Sequence, residues 1–379
     1  MLSTFILLQA LKPHIGFTCL NSMSKGSFII LASTIKSMQV LVDDVGSFPL
    51  PDFVERKAFE KAYVMARAWI AEGKDPKDDE FLLKNFHNVV KVSFAAKCKA
   101  GLDAVNYPQH YDIRRQFTEV IRKAVERGTY IVDYGEAVIP EVVVIKGEAK
   151  RLCEELGMER IHLRVCVTGP FELYLAEVGA TAYRDILLMF AETVRRFCVN
   201  SVLDDKYVGT LVVSIDEPSF GFRDVAVDRD TVLDVLEKAF NFRGVVKQVH
   251  VHSTARIVDL LNVENLDVVS VEYAASPKNL EAVSKSMLEK ADKQIRVGIA
   301  RTDVDTIFAE LYEKGIKKPQ AWQIVEDIEV IRRRFKAAKA RFGERLAFTG
   351  PDCGLGGWPS QEAAQILLRR TVEAVKKFS

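Results

Sequence analysis

The chain has 379 residues, 48% of them hydrophobic, enough for one large α/β barrel or two ordinary domains. Its 53 basic and 52 acidic residues nearly cancel, which argues against a binder that holds nucleic acid by bulk charge and points to a soluble globular enzyme. Six scattered cysteines (Cys19, Cys98, Cys153, Cys166, Cys198 and Cys353) form no Cys-x-x-Cys motif, so reduced thiols in a cytosolic protein are expected rather than a disulfide framework.

Residues 1–37 differ from the rest. Two apolar bursts, Phe5–Leu8 and Phe28–Ala32, are interrupted by Pro13, Gly16 and polar residues. Neither approaches the roughly 18–20 residues of a membrane helix, and the opening Met-Leu-Ser-Thr lacks the basic start of a signal peptide. This stretch is expected to be a poorly packed extension, with Met23 and Met38 as further possible starts. The barrel domain is expected to span 38–379.

From there the chain reads as alternating strands and helices. Residues 39–45 form a first strand that runs into Gly46-Ser47-Phe48-Pro49, where a glycine allows close backbone approach to a ligand. A helix over 52–72 carries Phe59, Ala62, Tyr63, Ala66 and Ile70 on one face and ends at Gly73. A second helix covers 80–100, and residues 101–109 give strand two, ending in Pro108-Gln109. Residues 129–145 are expected to form a β-hairpin outside the barrel count, with Gly135-Glu136 on its surface. Strand three (162–167) leads through Thr168-Gly169-Pro170 into a helix. Strand four (211–215) ends in Asp216-Glu217-Pro218, and adjacent acids there face opposite ways. Only one of the two can therefore point into the mouth.

Strand five (245–252) ends in His250 and His252, two apart and so on one side. Two satisfied polar side chains would give the same pattern. Strand six (268–271) stops on Glu272, a helix covers 278–290, and strand seven is 295–299. A helix over 318–342 bears a core stripe of Ile324, Ile328, Ile331, Phe335, Ala338 and Phe342, with Arg332-Arg333-Arg334 as a solvated face. Strand eight (346–349) delivers Cys353 in a glycine-rich loop, and Ser360 caps the last helix. Eight strands with intervening helices predict a single (β/α)8 TIM-type barrel, whose site lies at the C-terminal mouth. His, Glu and Cys are all ligands that zinc accepts.

The ordered set GSFP (46–49), TGP (168–170), IDEP (215–218), the histidine strand, SVE (270–272) and PDCGLGGWP (351–359) resembles the catalytic barrel of cobalamin-independent methionine synthase, in its short archaeal-type stand-alone form, over about residues 39–379. The resemblance implies a zinc-dependent methyl transfer to the thiol of homocysteine, forming methionine. It implies that Gly46 and Ser47 hold the amino-acid carboxylate and that Asp216 holds the amine, which leaves Glu217 as a structural salt-bridge acid. Gln109 stands where folate-using relatives place a glutamate, so amine recognition is expected to be weaker. The implied metal ligands are His250, His252, Glu272 and Cys353.

This sequence departs from the family in two places. Relatives follow the ligand histidine with a cysteine two residues later. Here either His252 fills the cysteine's place beside His250, or Thr254 fills it beside His252; the first keeps four zinc ligands. Relatives also place a histidine after strand seven, whereas residues 298–303 here read Gly-Ile-Ala-Arg-Thr-Asp. Without that proton donor, a methylated corrinoid, free or on a carrier protein, is the expected methyl donor rather than methyltetrahydrofolate. Related alternatives are a barrel methyltransferase for another thiol, a uroporphyrinogen-decarboxylase-like enzyme, and a non-catalytic zinc- and thiol-binding partner of a corrinoid protein.

Overall fold

Valine-rich runs set the architecture. In a computed structural model, which describes residues 39–376, they form β1 Leu41–Val42, β2 Val105–Asn106, β3 Ile161–Thr168, β4 Val208–Asp216, β5 Val246–Val251, β6 Val268–Val271, β7 Gln294–Ala300 and β8 Leu346–Pro351. All pairings are parallel, in the order β1-β8-β7-β6-β5-β4-β3-β2. A parallel bridge from Asp43 to Ala104 brings the two ends of this sheet together. Helices connect successive strands, which is the expected TIM-type α/β barrel. The expected extension over 1–37 and the position of Met38 lie outside the described residues.

Strand periodicity separates two environments. In β3 to β7 most odd-numbered residues are apolar and lie in the hydrophobic core: Val165 and Val167, Ile215, Val249 and Val251, Val269 and Val271, Ile295 and Val297 are all buried. The polar side chains Arg164, Asp216, Gln248, His250, Ser270 and Arg296 all fall at even-numbered positions, on the other side of the strands. Arg164 and Arg296 are fully buried there. Both meet Asp43: Arg296 Nε lies 2.6 Å from Oδ1 and Arg164 Nε lies 3.4 Å from Oδ2. Arg164 also donates to Val45 O at 2.6 Å and to Gln248 Oε1 at 2.9 Å. Buried charge survives only when it is paired and hydrogen-bonded in this way.

Several local expectations need correction. No hairpin forms over 129–145. The chain turns irregularly to Ile139 and then enters the helix Pro140–Leu156, which closes on left-handed Gly157. The backbone of the turn is satisfied by one helix, Arg184–Asn200, instead of a strand partner. Val132 N donates to Thr193 Oγ1 at 3.0 Å, and Asn200 Nδ2 donates to Tyr134 O at 2.7 Å and Ala137 O at 2.9 Å. Helix packing of Val142, Ile145, Ala149 and Leu152 overrides the strand preference of the valines.

The expected helix 278–290 is broken into Lys278–Ala282 and Lys285–Ala291, the second capped by Ser284. That over 318–342 is broken into Ala321–Ile324 and Ile328–Phe342, capped by Asp327. The triple arginine is not one solvated face. Arg334 donates to both oxygens of Glu326, at 2.7 and 2.8 Å, and to Ile299 O at the end of β7. Arg332 is ion-paired with Glu329, and Arg333 is exposed. Among the described residues, no helix is long and apolar enough to cross a membrane.

Candidate functional site

Register delivers the polar side chains to one end of the barrel. Thr168 pairs with Asp216, Asp216 with His250, and His250 with Ser270, along β3 to β6. His252 and Glu272 lie one step beyond, just past β5 and β6. The loop after β8 brings in Cys353. One ligand atom from each of His250, His252, Glu272 and Cys353 lies within 4.8 Å of every other. His252 Nε2 is 3.5 Å from Glu272 Oε1 and 3.5 Å from Cys353 Sγ. Thr254 is outside this group and bonds to Asn279 Oδ1 at 3.2 Å.

His250 is oriented from behind. Its Nδ1 is 3.1 Å from Ser270 Oγ, which also receives Arg296 Nη1 at 3.4 Å. Its Nε2 is buried and has no hydrogen-bond partner among the described residues. Such an orphan atom is costly unless something else meets it. With Nδ1 turned toward Ser270, Nε2 is the nitrogen available as a ligand.

Burial also dominates the electrostatics. It lowers the pKa of both histidines, that of His250 well below the usual value. It pushes Glu272 up to about 8, with the neighbouring charges of Asp352 and Asp303 adding to the effect. It pushes the Cys353 thiol up to about 12, and Glu272 adds to that. Two potential anions held protonated beside two neutral imidazoles, one with an orphan nitrogen, form a donor set that a divalent cation would relieve. His, Glu and Cys donors fit zinc.

The other predicted residues surround this group. Ser47 lies under the Cys353 loop: its Oγ accepts from Gly356 N at 3.1 Å, and its carbonyl accepts from Leu355 N at 2.7 Å. Only glycine fits at 354, because a Cβ there would come 2.2 Å from Ser47 Oγ. Gly46 is packed against the polar layer, and a Cβ on it would meet Cys166 Sγ at 3.0 Å and Gln109 Oε1 at 3.3 Å. Gln109 is buried and fully engaged. Its amide donates to Tyr107 Oη and Gln116 Oε1, and its oxygen accepts from Cys166 Sγ at 3.4 Å.

Asp216 accepts from Ser214 Oγ at 2.6 Å, and burial raises its pKa to about 6 against the pull of Arg164. Among the described residues Glu217 makes no salt bridge, contrary to expectation. Its two oxygens accept the backbone N–H groups of Phe171 and Glu172, each at 2.9 Å, at the start of the helix Pro170–Glu177. Glu136 is paired at the surface with Arg127 at 2.6 Å.

Sequence reasoning did not single out Ser270, Arg296 or Asp352. Ser270 and Asp352 lie inside the quoted SVE and PDC motifs, so their position was the available signal. A lone arginine in an apolar strand was the only hint of Arg296.

No protein-family profile matches this chain. Over 236 residues, 60% of this chain and 68% of the relative, it is 29% identical to a methionine synthase of Methanocaldococcus jannaschii. The fold is similar to that of a B12-independent methionine synthase from Shewanella sp. W3-18-1 in complex with selenomethionine, with a TM-score of 0.56 at 14% identity, covering 89% of this chain and 97% of that one. A Listeria monocytogenes protein assigned as a vitamin-B12-independent methionine synthase gives a TM-score of 0.50 at 14% identity, covering 89% and 99%.

Proposed function

We propose that the chain, 29% identical to a methionine synthase and with the fold of B12-independent ones, is a member of the cobalamin-independent methionine synthase family that transfers a methyl group to the thiol of homocysteine, forming methionine, with a zinc ion held by His250, His252, Glu272 and Cys353. The observation that carries this reading is the convergence of four zinc-type donors within 4.8 Å, drawn from the ends of three strands. Zinc bound there supplies the positive charge that lets a thiol, with an ordinary pKa of about 8.5, lose its proton near neutral pH.

The chain's own residues do the positioning. Asp216, at the end of β4 beside His250, takes the substrate ammonium. Gln109 spends its amide inside the protein, so amine recognition falls mainly on Asp216. Ser47 Oγ accepts an N–H from Gly356, which leaves its own O–H as a donor for the substrate carboxylate. Fixing both ends of the amino acid limits where its sulfur can lie, and orientation of this kind lowers the barrier to an in-line displacement.

The methyl donor we infer is a methylated corrinoid, free or on a carrier protein. After β7 the side chain nearest in sequence to a proton donor is Arg301, which is fixed by Asp303 and Glu310. Those carboxylates raise its pKa further, so it gives up no proton. A folate nitrogen must be protonated to leave, and a corrinoid cobalt need not be. The test offers methylcobalamin and methyltetrahydrofolate to the zinc-loaded protein with homocysteine and follows methionine. Much faster turnover with the corrinoid is expected; equal or faster turnover with the folate would remove the donor assignment.

A further inference from the structure

Glu272 and Cys353 come from β6 and β8, which are not neighbours: β7 lies between them. No strand ladder therefore pairs one directly with the other. A single buried side chain links the two. Asp352 is 1% exposed and immediately precedes Cys353. Its Oδ1 accepts the N–H groups of Tyr273 and Ala274, each at 3.0 Å, and its Oδ2 accepts that of Ala275 at 2.6 Å. These are the three residues directly after Glu272. The N–H of Asp352 itself donates to Ala300 O at 2.9 Å, at the end of β7.

The path between β6 and β8 is open only because position 298 has no side chain. A Cβ on Gly298 would lie 2.3 Å from Asp352 Oδ1 and 2.6 Å from its Cα. Three N–H donors converging on one carboxylate fix its orientation, and with it the turn on either side. We propose that Asp352 is the positioning residue that sets Cys353 and Glu272 at ligand distance from each other and from His252. Its consequence for metal binding rests on the zinc reading above; its effect on Cys353 does not.

Asp352→Asn keeps the shape but sets an NH2 donor against an amide N–H. In metal-free protein, iodoacetamide labelling mapped by mass spectrometry should then speed up at Cys353 by about tenfold or more, as a local opening would. Cys98, Cys153, Cys166 and Cys198, all buried, should label as slowly as in the wild type. In the metal-loaded protein, zinc affinity from chelator competition should fall roughly 10- to 100-fold, the usual effect of losing an outer-shell partner. The thiolate-to-cobalt absorption of the cobalt-substituted protein should weaken. Asp352→Glu should not rescue either property.

If Asp352→Asn does not fold, Gly298→Ala displaces the same carboxylate with its charge retained and should give the same signature. Unchanged Cys353 labelling with unchanged zinc affinity would overturn the proposal. So would labelling that rises equally at Cys353 and the four buried cysteines, which would mark a general structural role. A wild-type protein that takes up no zinc would defeat the metal reading, and the Cys353 labelling would then decide the role of Asp352 by itself.

Discussion

Cys353 and Glu272 are the residues on which the metal reading stands or falls. Each supplies a donor that becomes anionic only at a cost in this buried setting, and each is close to His252 Nε2. Cys353→Ser and Glu272→Gln should each lose most of the one zinc expected per chain, as read by elemental analysis of purified protein. Full retention in both would exclude the ligand set. Glu141 tests the electrostatics away from the site. It is fully buried at the start of the helix Pro140–Leu156, where Arg67 and Tyr63 only partly offset the loss of water. Burial pushes its pKa up to about 8 from an ordinary 4.5. With the folded value raised, its contribution to stability is fully present below about pH 4.5 and is lost as pH rises through about 8, a difference of roughly 4–5 kcal/mol at full ionisation. Glu141→Gln should therefore gain on the wild type between pH 5 and pH 9 in denaturant unfolding. A gap that does not change with pH would contradict this.

At the scale of elements, β3 to β8 were legible as short apolar runs, most of them rich in β-branched residues, and in β3 and β7 alternation with polar residues at period two also shows both environments of a barrel strand. β1 and β2 were legible as strands, but their regular pairing is confined to two residues each. The segment 129–145 was misread because its backbone partners are side chains on a helix some 60 residues ahead, which no local pattern encodes. Glu217 was misread for a related reason: an acid next to Pro218 does not announce that it reaches back to the amides of another loop. Its contact depends on Gly169, where a Cβ would come 2.2 Å from Glu217 Oε1. Gly169→Ala should push that carboxylate off the helix start and destabilise the protein by about 1–3 kcal/mol. Denaturant unfolding reads the change, and a neutral result would mean that the helix Pro170–Glu177 does not need this cap.

At the scale of the molecule, the barrel turns a one-dimensional list of motifs into a site. His250, His252, Glu272 and Cys353 span about a hundred residues of sequence, yet parallel strands in register bring them to one mouth. The motif order and the His-x-His spacing foreshadowed that gathering. The layer beneath it was not legible, because Arg164, Arg296 and Asp43 meet across the barrel axis from strands that are distant in the chain. That layer supports His250 through Ser270, so the fold and the proposed chemistry share one buried polar network. The most direct measurement of the whole account is methionine formation from homocysteine and methylcobalamin, followed in zinc-loaded protein, in protein stripped by a chelator, and after zinc is restored. The account predicts turnover that disappears on stripping and returns with zinc. Methionine formed at the same rate by the stripped protein, or no methionine from the loaded one, would contradict it.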